Sequence, residues 1–155
     1  MTTRGLRAAV VVLGVLMFRP AVAAEYWPDS VDQYVLQIRR TLDTVDMDGY
    51  LAVVKNSNGA VLVDVRDPDE FRTGHVPGTI NLSRGRLEQQ IWRPLGYPGP
   101  VDMNRRIYVQ CGSGFRATLA AKQLKDIGFI HVTAVVMSLG DWQKAGHPFI
   151  KDGVK

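Results

Sequence analysis

The chain has a single cysteine in 155 residues and only three histidines. One cysteine excludes an intramolecular disulfide, so the fold is not stabilised by disulfide bonds. His75, His131 and His147 show no ligand spacing, and neither do the dispersed acids, so we expect no metal site and no cofactor. Internal repeats and low-complexity segments are lacking as well, which excludes solenoid and array architectures.

Outside residues 1–24 the chain has almost no excess of basic over acidic residues. Residues 1–24 contain three arginines and no acid, so without them the count of Lys and Arg falls from 19 to 16 against 15 Asp and Glu, a net charge of +1. The pI near 9.4 therefore reflects mainly this segment. We expect no nucleic-acid partner.

No apolar run reaches the roughly 20 residues of a membrane-spanning helix. The run from Ala8 to Phe18 has eleven residues, follows two arginines and precedes small residues at 21–24. This order is typical of a secretory signal peptide. We expect residues 1–24 to be removed by cleavage near 23–24, which leaves a periplasmic or secreted protein with no stable membrane association. The alternative is a retained anchor, because Arg19 directly follows the apolar run.

Residues 25–43 are predicted to form a helical extension. Asp29 and Ser30 are good N-cap residues, and five apolar residues follow at helical spacing. These are Val31, Tyr34, Val35, Ile38 and Leu42. We expect the helix to pack on the surface of the domain, and the alternative is a partner or dimer contact through residues 30–42.

Strand-like and helix-like patterns alternate over residues 44–150, and 151–155 form a short C-terminal tail. This alternation predicts an α/β fold with a mostly parallel central sheet and helices on both faces. In such sheets ligands bind beyond the carboxyl ends of the strands. Residues 83–104 are harder to interpret. Their aromatic residues Trp92 and Tyr97 either cover the core or line the mouth of the site, and we expect them to cover the core.

Cys111 lies between a predicted strand that ends at Gln110 and a helix predicted from Phe115. Gly112 and Gly114 allow a tight turn whose backbone N–H groups point inward, and the helix N-terminus adds partial positive charge. These features favour the thiolate over the thiol and an anion beside the sulfur. We therefore interpret Cys111 as a reactive nucleophile rather than an inert buried cysteine.

The hexapeptide Cys-Gly-Ser-Gly-Phe-Arg at 111–116 resembles the C-x-x-G-x-R active-site loop of rhodanese-like sulfurtransferases. The stretch from Val63 to Leu82 resembles the family signature D-V-R … E-F … G-H-I-P-G-A-x-N and lies about thirty residues upstream. The resemblance covers roughly residues 44–149 and implies a rhodanese-like three-layer fold. It implies that Cys111 takes a sulfane sulfur from a small anionic donor such as thiosulfate, becomes a persulfide and passes the outer sulfur to a thiophilic acceptor.

The resemblance also implies roles for the rest of the loop. The backbone N–H groups from Gly112 to Arg116 are expected to hold the thiolate and the persulfide, and the Arg116 guanidinium to bind an oxyanion of the donor. The expected substrate-binding residues are Gly112, Ser113, Gly114, Phe115 and Arg116.

Three residues upstream are expected to support the site. Asp64 is expected to hold amides of the cysteine loop, and Arg66 to pair with a carboxylate such as that of Glu70. His75 is expected to be a hydrogen-bonded scaffold residue rather than a catalyst. The family often carries Gly-Gly where this chain has Met137-Ser138, which predicts a different pocket wall.

Two other functions compete with sulfur transfer. Phosphatases and arsenate reductases of related fold use a cysteine–arginine loop, but their C-x5-R loop is one residue longer than the C-x4-R of Cys111 and Arg116. A non-catalytic sulfur-carrier or partner-binding module is the other alternative, although inactive modules usually lose the cysteine.

Overall fold

The computed structural model describes residues 28–151, and the predicted signal peptide and most of the predicted tail lie outside them. Within this range no helix has the length and apolar character needed to cross a membrane. The elements are α1 Val31–Arg39, β1 Asp43–Val45, α2 Met47–Lys55, β2 Val61–Asp64, α3 Pro68–Arg72, β3 Thr79–Asn81, α4 Leu87–Gln90, a 3-10 turn Arg93–Leu95, β4 Ile107–Gln110, α5 Phe115–Asp126, β5 Val132–Val135 and α6 Leu139–Lys144.

The five strands form one sheet in the order β1-β5-β4-β2-β3, and all their pairings are parallel. The α/β prediction is thus confirmed, with a sheet that is wholly rather than mostly parallel. Asp64 at the end of β2 is aligned with Asn81 on one side and with Gln110 on the other. Because parallel strands run in one direction, these three residues and Cys111 lie at the same edge of the sheet.

Alternating residues of the central strands point to opposite faces, as the period of two requires. Val63 and Val109 belong to a core cluster that contains residues of α4 and α5. Leu62 belongs to a second cluster, which contains residues of α2 and α6, and Tyr108 packs against that cluster. Two apolar layers of this kind confirm that helices cover both faces of the sheet.

Helix α1 packs on the surface of the domain, as expected. Ser30 caps the helix through its hydroxyl, which accepts a hydrogen bond from the N–H of Gln33 at 3.2 Å. Val35 and Ile38 are buried, and α1 lies against α5. The next strand begins at Asp43, one residue before the predicted start of the domain.

The two aromatic residues of the segment before β4 differ in burial. Trp92 packs against Phe129 with ring centroids 5.3 Å apart, so its predicted place over the core is confirmed. Tyr97 is 59% exposed, and its predicted place over the core was wrong. The turn after Gly96, which has φ of +125°, returns the Tyr97 N–H to the carbonyl of Trp92 and leaves the ring outside.

Candidate active site

Cys111 directly follows β4 and lies four residues before α5, as its flanking sequence predicted. Its side chain is buried, with 2% of the residue exposed. The backbone N–H of Ala117, in the first turn of α5, points to the sulfur with a nitrogen–sulfur distance of 3.4 Å. This donor lies one residue beyond the predicted stretch from Gly112 to Arg116. The sulfur therefore faces a helix N-terminus, which carries partial positive charge.

Gly114 is the residue that fixes the shape of the loop. Its φ of +83° lies in the left-handed region, and a Cβ there would stand 3.2 Å from Cα of Val136. A side chain is therefore disfavoured by both the backbone conformation and the contact. The carbonyl of Gly114 accepts hydrogen bonds from the N–H and the hydroxyl of Thr118, which anchors the loop to α5.

The segment before α6 supports the other side of the loop. The N–H of Leu139 donates to the carbonyl of Gly112 at 2.9 Å. Ser138 caps α6 by accepting from the N–H of Asp141, and Met137 is buried in the second core cluster. Met137 thus packs an apolar side chain into the core and Ser138 caps α6 through its hydroxyl, and glycine has no side chain for either contact.

The remaining predicted binding residues lie at the surface of the loop or close to it. Ser113 is exposed, and Gly112 and Phe115 are half-buried. A Cβ on Gly112 would stand 3.9 Å from Nη2 of Arg116, so the guanidinium lies beside the loop backbone.

Arg116 pairs with Glu70, a residue that the sequence did not assign to the site. Nη1 and Nη2 donate to the two carboxylate oxygens at 2.6 and 2.8 Å, and the carboxylate of Asp67 lies 3.9 Å away. These hydrogen bonds raise the pKa of Arg116 and lower the pKa of Glu70 to about 2. The pair is partly open to solvent, with side-chain exposures of 36% and 41%.

Asp64 and Arg66 form a second, buried pair. Nε and Nη2 of Arg66 donate to the Asp64 carboxylate at distances between 2.7 and 3.1 Å. Arg66 thus pairs with a carboxylate, as expected, but the partner is Asp64 and not Glu70, whose carboxylate binds Arg116. Of Glu70, Arg66 contacts the backbone carbonyl, at 3.1 Å. Residues two apart on an extended chain point the same way, which places Asp64 and Arg66 together.

Besides its pair with Arg66, Asp64 makes hydrogen bonds that differ from those predicted. The carboxylate accepts from Nε2 of Gln110 at 2.9 Å and from the N–H of Arg66, and not from amides of the cysteine loop. Gln110 immediately precedes Cys111 and is fully buried. Asp64 therefore holds Gln110, the last residue of β4, and not an amide of the loop that follows it.

His75 makes structural contacts through its backbone and the face of its ring, but its buried Nδ1 has no hydrogen-bond partner among the described residues, unlike the hydrogen-bonded side chain that was expected. Its backbone N–H and carbonyl pair with those of Ile150 at 2.8 Å, and its ring stacks on Phe71 with centroids 3.9 Å apart. Within residues 28–151 no cluster of His, Cys, Asp or Glu has the geometry to hold a metal ion.

Comparison with known families identifies the type of domain. A family model described as "Rhodanese-like domain" matches residues 49–145. The thiosulfate sulfurtransferase GlpE of Shewanella oneidensis is 30% identical over 95 residues, which cover 61% of this chain and 87% of that protein. The thiosulfate:glutathione sulfurtransferase of Saccharomyces cerevisiae is 32% identical over 101 residues, which cover 61% and 72%.

Other relatives share less of their length. A Bacillus subtilis protein named for sulfur carriage, YrkF, is 26% identical over 102 residues, and the match spans 66% of this chain and 51% of that protein. This chain thus spans about half the length of that relative.

Solved structures extend the likeness. A Rhodopseudomonas palustris protein of unknown function, with a suggested tyrosine phosphatase activity, is 26% identical, with a TM-score of 0.65 over 81% of this chain and 98% of that one. A homodimeric polysulfide-sulfur transferase of Wolinella succinogenes is 25% identical, with a TM-score of 0.61 over 76% and 84%. Because the family model covers more than half of the chain, and the sheet and the cysteine loop agree with it, the chain belongs to the rhodanese-like domain family.

Proposed function

We propose that this chain transfers sulfane sulfur from a small anionic donor such as thiosulfate to a thiophilic acceptor through a persulfide on Cys111. Membership of a family whose distant members are thiosulfate sulfurtransferases supports the reaction class. The observation that carries the proposal is the position of the sulfur. It lies at the carboxyl edge of a parallel sheet, with the Ala117 N–H at the start of α5 directed at it.

The reaction needs no external base once the thiolate is present. The thiolate attacks the outer sulfur of thiosulfate, the S–S bond of the donor breaks, and sulfite leaves with the electron pair. The outer sulfur of the Cys111 persulfide is then attacked by the acceptor, and the electron pair of the broken S–S bond returns to the cysteine sulfur. Both steps keep negative charge near the N-terminus of α5, where it is favoured.

Arg116 is proposed to bind the donor, in addition to any effect of its charge on the cysteine. A guanidinium has five N–H groups, and the described bonds to Glu70 engage one on each terminal nitrogen. The remaining groups are available for a sulfonate oxygen of the donor. Glu70 then holds the guanidinium beside the loop, which reduces the entropy lost on binding the donor.

Intact mass spectrometry tests the proposal directly. The protein should gain one sulfur atom on incubation with thiosulfate and lose it on addition of cyanide. Cys111→Ser should gain none, because a hydroxyl does not ionise readily enough to replace the thiolate. A wild-type mass that thiosulfate leaves unchanged would reject the persulfide.

A sulfur carrier is the second candidate, and two observations favour it. YrkF is named as a sulfur carrier protein, and Cys111 is nearly inaccessible. A carrier would form the persulfide but release sulfur to small acceptors slowly or not at all. Thiocyanate production from thiosulfate and cyanide over many turnovers would favour the enzyme, and a single turnover would favour the carrier.

Phosphatase activity is disfavoured by loop length. The C-x4-R loop is one residue shorter than the C-x5-R loop that holds a tetrahedral phosphoryl group. We expect no useful hydrolysis of aryl phosphates, and steady release of the phenol from such a substrate would contradict this.

Export is part of the proposal for the physiological setting. The order of basic, apolar and small residues over 1–24 supports cleavage near 23–24. N-terminal sequencing of the protein from its native cells should find Ala24 or Glu25 first, in the periplasm or the medium. An intact Met1 in the membrane fraction would reject cleavage.

A dimer contact through residues 30–42 is proposed with the polysulfide-sulfur transferase homodimer as support. Val31, Tyr34 and Leu36 of α1 are exposed apolar residues that packing on α5 leaves uncovered. Light scattering should give twice the monomer mass, and Tyr34→Asp should return it to the monomer. A wild-type monomer at high concentration would reject the contact.

A further inference from the structure

The segment that joins β3 to β4 carries two adjoining hollows at the surface of the domain. The first, of about 490 Å³, has Arg86, Gln89 and Arg93 in its lining. The second, of about 500 Å³, is lined by Gln89, Trp92, Arg93 and Tyr97. Because Gln89 and Arg93 line both hollows, the two form one continuous surface, which we call the arginine–tyrosine surface. Neither hollow is lined by a residue of the cysteine loop.

The two arginines of this surface have no acidic partner. Among residues 28–151 neither Arg86 nor Arg93 forms an ion pair, whereas Arg84 in the same segment pairs with Glu88 at 2.9 Å. Both side chains are exposed. A guanidinium without a carboxylate of its own chain binds a carboxylate of another molecule through two parallel hydrogen bonds. The arginine–tyrosine surface therefore suits an acidic ligand.

The surface also offers an apolar contact on a backbone that is held in place. Tyr97 is 59% exposed, more than any other aromatic residue that the structure describes. Its N–H donates to the carbonyl of Trp92 at 3.0 Å, and the indole Nε1 of Trp92 donates to the carbonyl of Glu88 at 2.6 Å. Trp92 in turn packs on Phe129. Because this backbone is ordered before a partner binds, less conformational entropy is lost on binding.

The exposure of the lining favours a protein segment over a small molecule. Pockets for small ligands enclose most of the surface of the ligand. Here the lining residues Arg86, Gln89, Arg93, Pro94 and Tyr97 are all exposed, so the hollows are open. Arginine, tyrosine and tryptophan are the residue types enriched where proteins contact one another.

The charge of the chain favours a protein partner over a nucleic acid. Outside residues 1–24 the net charge is only +1, and the arginine–tyrosine surface contributes two unpaired guanidinium groups. A nucleic acid binds through many phosphate contacts and a broad positive field. Two arginines beside an exposed aromatic ring match instead a short acidic segment that also carries an apolar side chain.

We propose that the arginine–tyrosine surface docks an extended acidic segment of a partner protein. Arg86 and Arg93 bind carboxylates of the segment, Gln89 hydrogen-bonds to its backbone, and the Tyr97 ring contacts one apolar side chain. The inference does not rest on sulfur transfer, because a segment confined to the two hollows does not contact the cysteine loop.

Fluorescence anisotropy with a labelled peptide tests this proposal. The probe is the peptide Glu-Asp-Glu-Phe-Glu-Asp-Glu, and its neutral counterpart carries Gln and Asn in place of Glu and Asp. The protein should bind the acidic peptide about tenfold more tightly than the neutral one, because only the acidic peptide pairs with the arginines. Arg86→Gln/Arg93→Gln should remove this preference. Equal affinity of the wild type and this variant for the acidic peptide would overturn the proposal.

Tyr97→Ser separates the apolar contact from the charge. This variant should bind the acidic peptide about tenfold more weakly, because the aromatic contact is lost. It should bind an acidic peptide with Ser in place of Phe as well as the wild type does. Equal losses with both peptides would overturn the contact between the Tyr97 ring and the apolar side chain.

The matched control is Arg40→Gln/Lys144→Gln, which removes the same charge at two exposed residues that line neither hollow. It should change the affinity for the acidic peptide less than about twofold, and thermal melting should show that all variants are folded. A loss equal to that of Arg86→Gln/Arg93→Gln would mean non-specific attraction and overturn the site. A wild-type Kd for the acidic peptide above about 1 mM would overturn it as well.

Two further measurements test other roles for the same arginines. Tighter binding of a single-stranded DNA of about ten nucleotides than of the acidic peptide, lost in Arg86→Gln/Arg93→Gln, would overturn the proposal in favour of a nucleic acid. Persulfide formation from thiosulfate, followed by intact mass, should be equal in the wild type and in this variant. A loss in the variant alone would place the arginines in the reaction and overturn the docking site. If neither protein forms a persulfide while the loss of peptide binding is observed, the proposed function fails and the docking site stands.

Discussion

Asp64–Arg66 and Glu70–Arg116 are both acid–arginine pairs beside the cysteine loop, yet they lie in opposite environments. The first has side-chain exposures of 0% and 5%, and the second of 41% and 36%. Arg66 also donates to the carbonyls of Gly74 and Glu70, and Asp64 also accepts from Gln110. Both partners of the buried pair therefore make further bonds to protein groups, while the exposed pair is partly open to solvent.

The difference assigns the two pairs to different tasks. A buried pair with further hydrogen bonds holds one geometry, and removal of either partner leaves an uncompensated charge. A solvent-exposed pair contributes little to stability, because water and salt screen it. We therefore expect Asp64–Arg66 to govern folding and Glu70–Arg116 to govern sulfur transfer.

The largest expected effect comes from breaking the buried pair. Arg66→Ala should lower the free energy of unfolding by about 3–5 kcal/mol, because the Asp64 carboxylate is left buried without its counter-charge. Urea denaturation measures this loss. Arg105→Ala, which breaks an exposed pair with Asp102, is the control and should cost about 1 kcal/mol or less. A loss of similar size in both variants would contradict the contrast in burial.

Removal of the exposed arginine should reduce the rate rather than the stability. Arg116→Ala should lower kcat/KM for thiosulfate about 10²- to 10³-fold, because a charged donor to the oxyanion is lost. Its stability should change by about 1 kcal/mol or less. The variant also leaves the Glu70 carboxylate unpaired beside the loop, so Glu70→Gln/Arg116→Ala is the control for repulsion. Full recovery of the rate in the double variant would mean that Arg116 acts only by neutralising Glu70.

Arg116→Lys refines the same contrast. A lysine keeps the charge but cannot bind Glu70 and a donor through a planar fork. The rate should fall between those of the wild type and Arg116→Ala when measured by thiocyanate formation. A rate equal to that of Arg116→Ala would show that geometry alone matters, and a wild-type rate would show that charge alone matters.

The smallest effect is the pH dependence of stability that the exposed pair contributes. The hydrogen bonds from Arg116 lower the pKa of Glu70 from 4.5 to about 2, so the unfolded chain takes up this proton at higher pH than the folded one. The contribution is complete above about pH 4.5 and is lost as the pH falls towards 2. After allowance for solvent screening it should amount to about 0.2–1 kcal/mol.

The contribution of Glu70 is measured from the free energy of unfolding of the wild type and of Glu70→Gln between pH 6 and about 2. The variant should lack the part of the acid-induced loss that belongs to Glu70, while the carboxylates elsewhere in the chain act equally on both proteins. If the two proteins lose stability equally as the pH falls, the Glu70–Arg116 pair does not contribute to the pH dependence of folding.

Local features of the site followed from the sequence because local physics sets them. An apolar β-branched run, two glycines and a helical pattern around Cys111 predicted a strand, a turn and a helix, and the structure confirms all three. Glycine at 114 is needed for the positive φ of that turn, and the helix that follows it supplies the N–H at the sulfur. The parallel sheet followed in the same way from alternating strand and helix patterns.

The partners of charged side chains did not follow. Glu70 was the carboxylate suggested for Arg66, but Glu70 binds Arg116, which is 46 residues away in sequence. Nor did the sequence show that Arg86 and Arg93 line one cavity, or that Tyr97 is exposed. The sequence determined the elements, the family motif and the candidate nucleophile Cys111, because backbone preference and hydrophobic period act over a few residues. Only the tertiary structure decided which acid meets which arginine, because the register of β2 with β3 and β4, and the burial it creates, bring distant residues together.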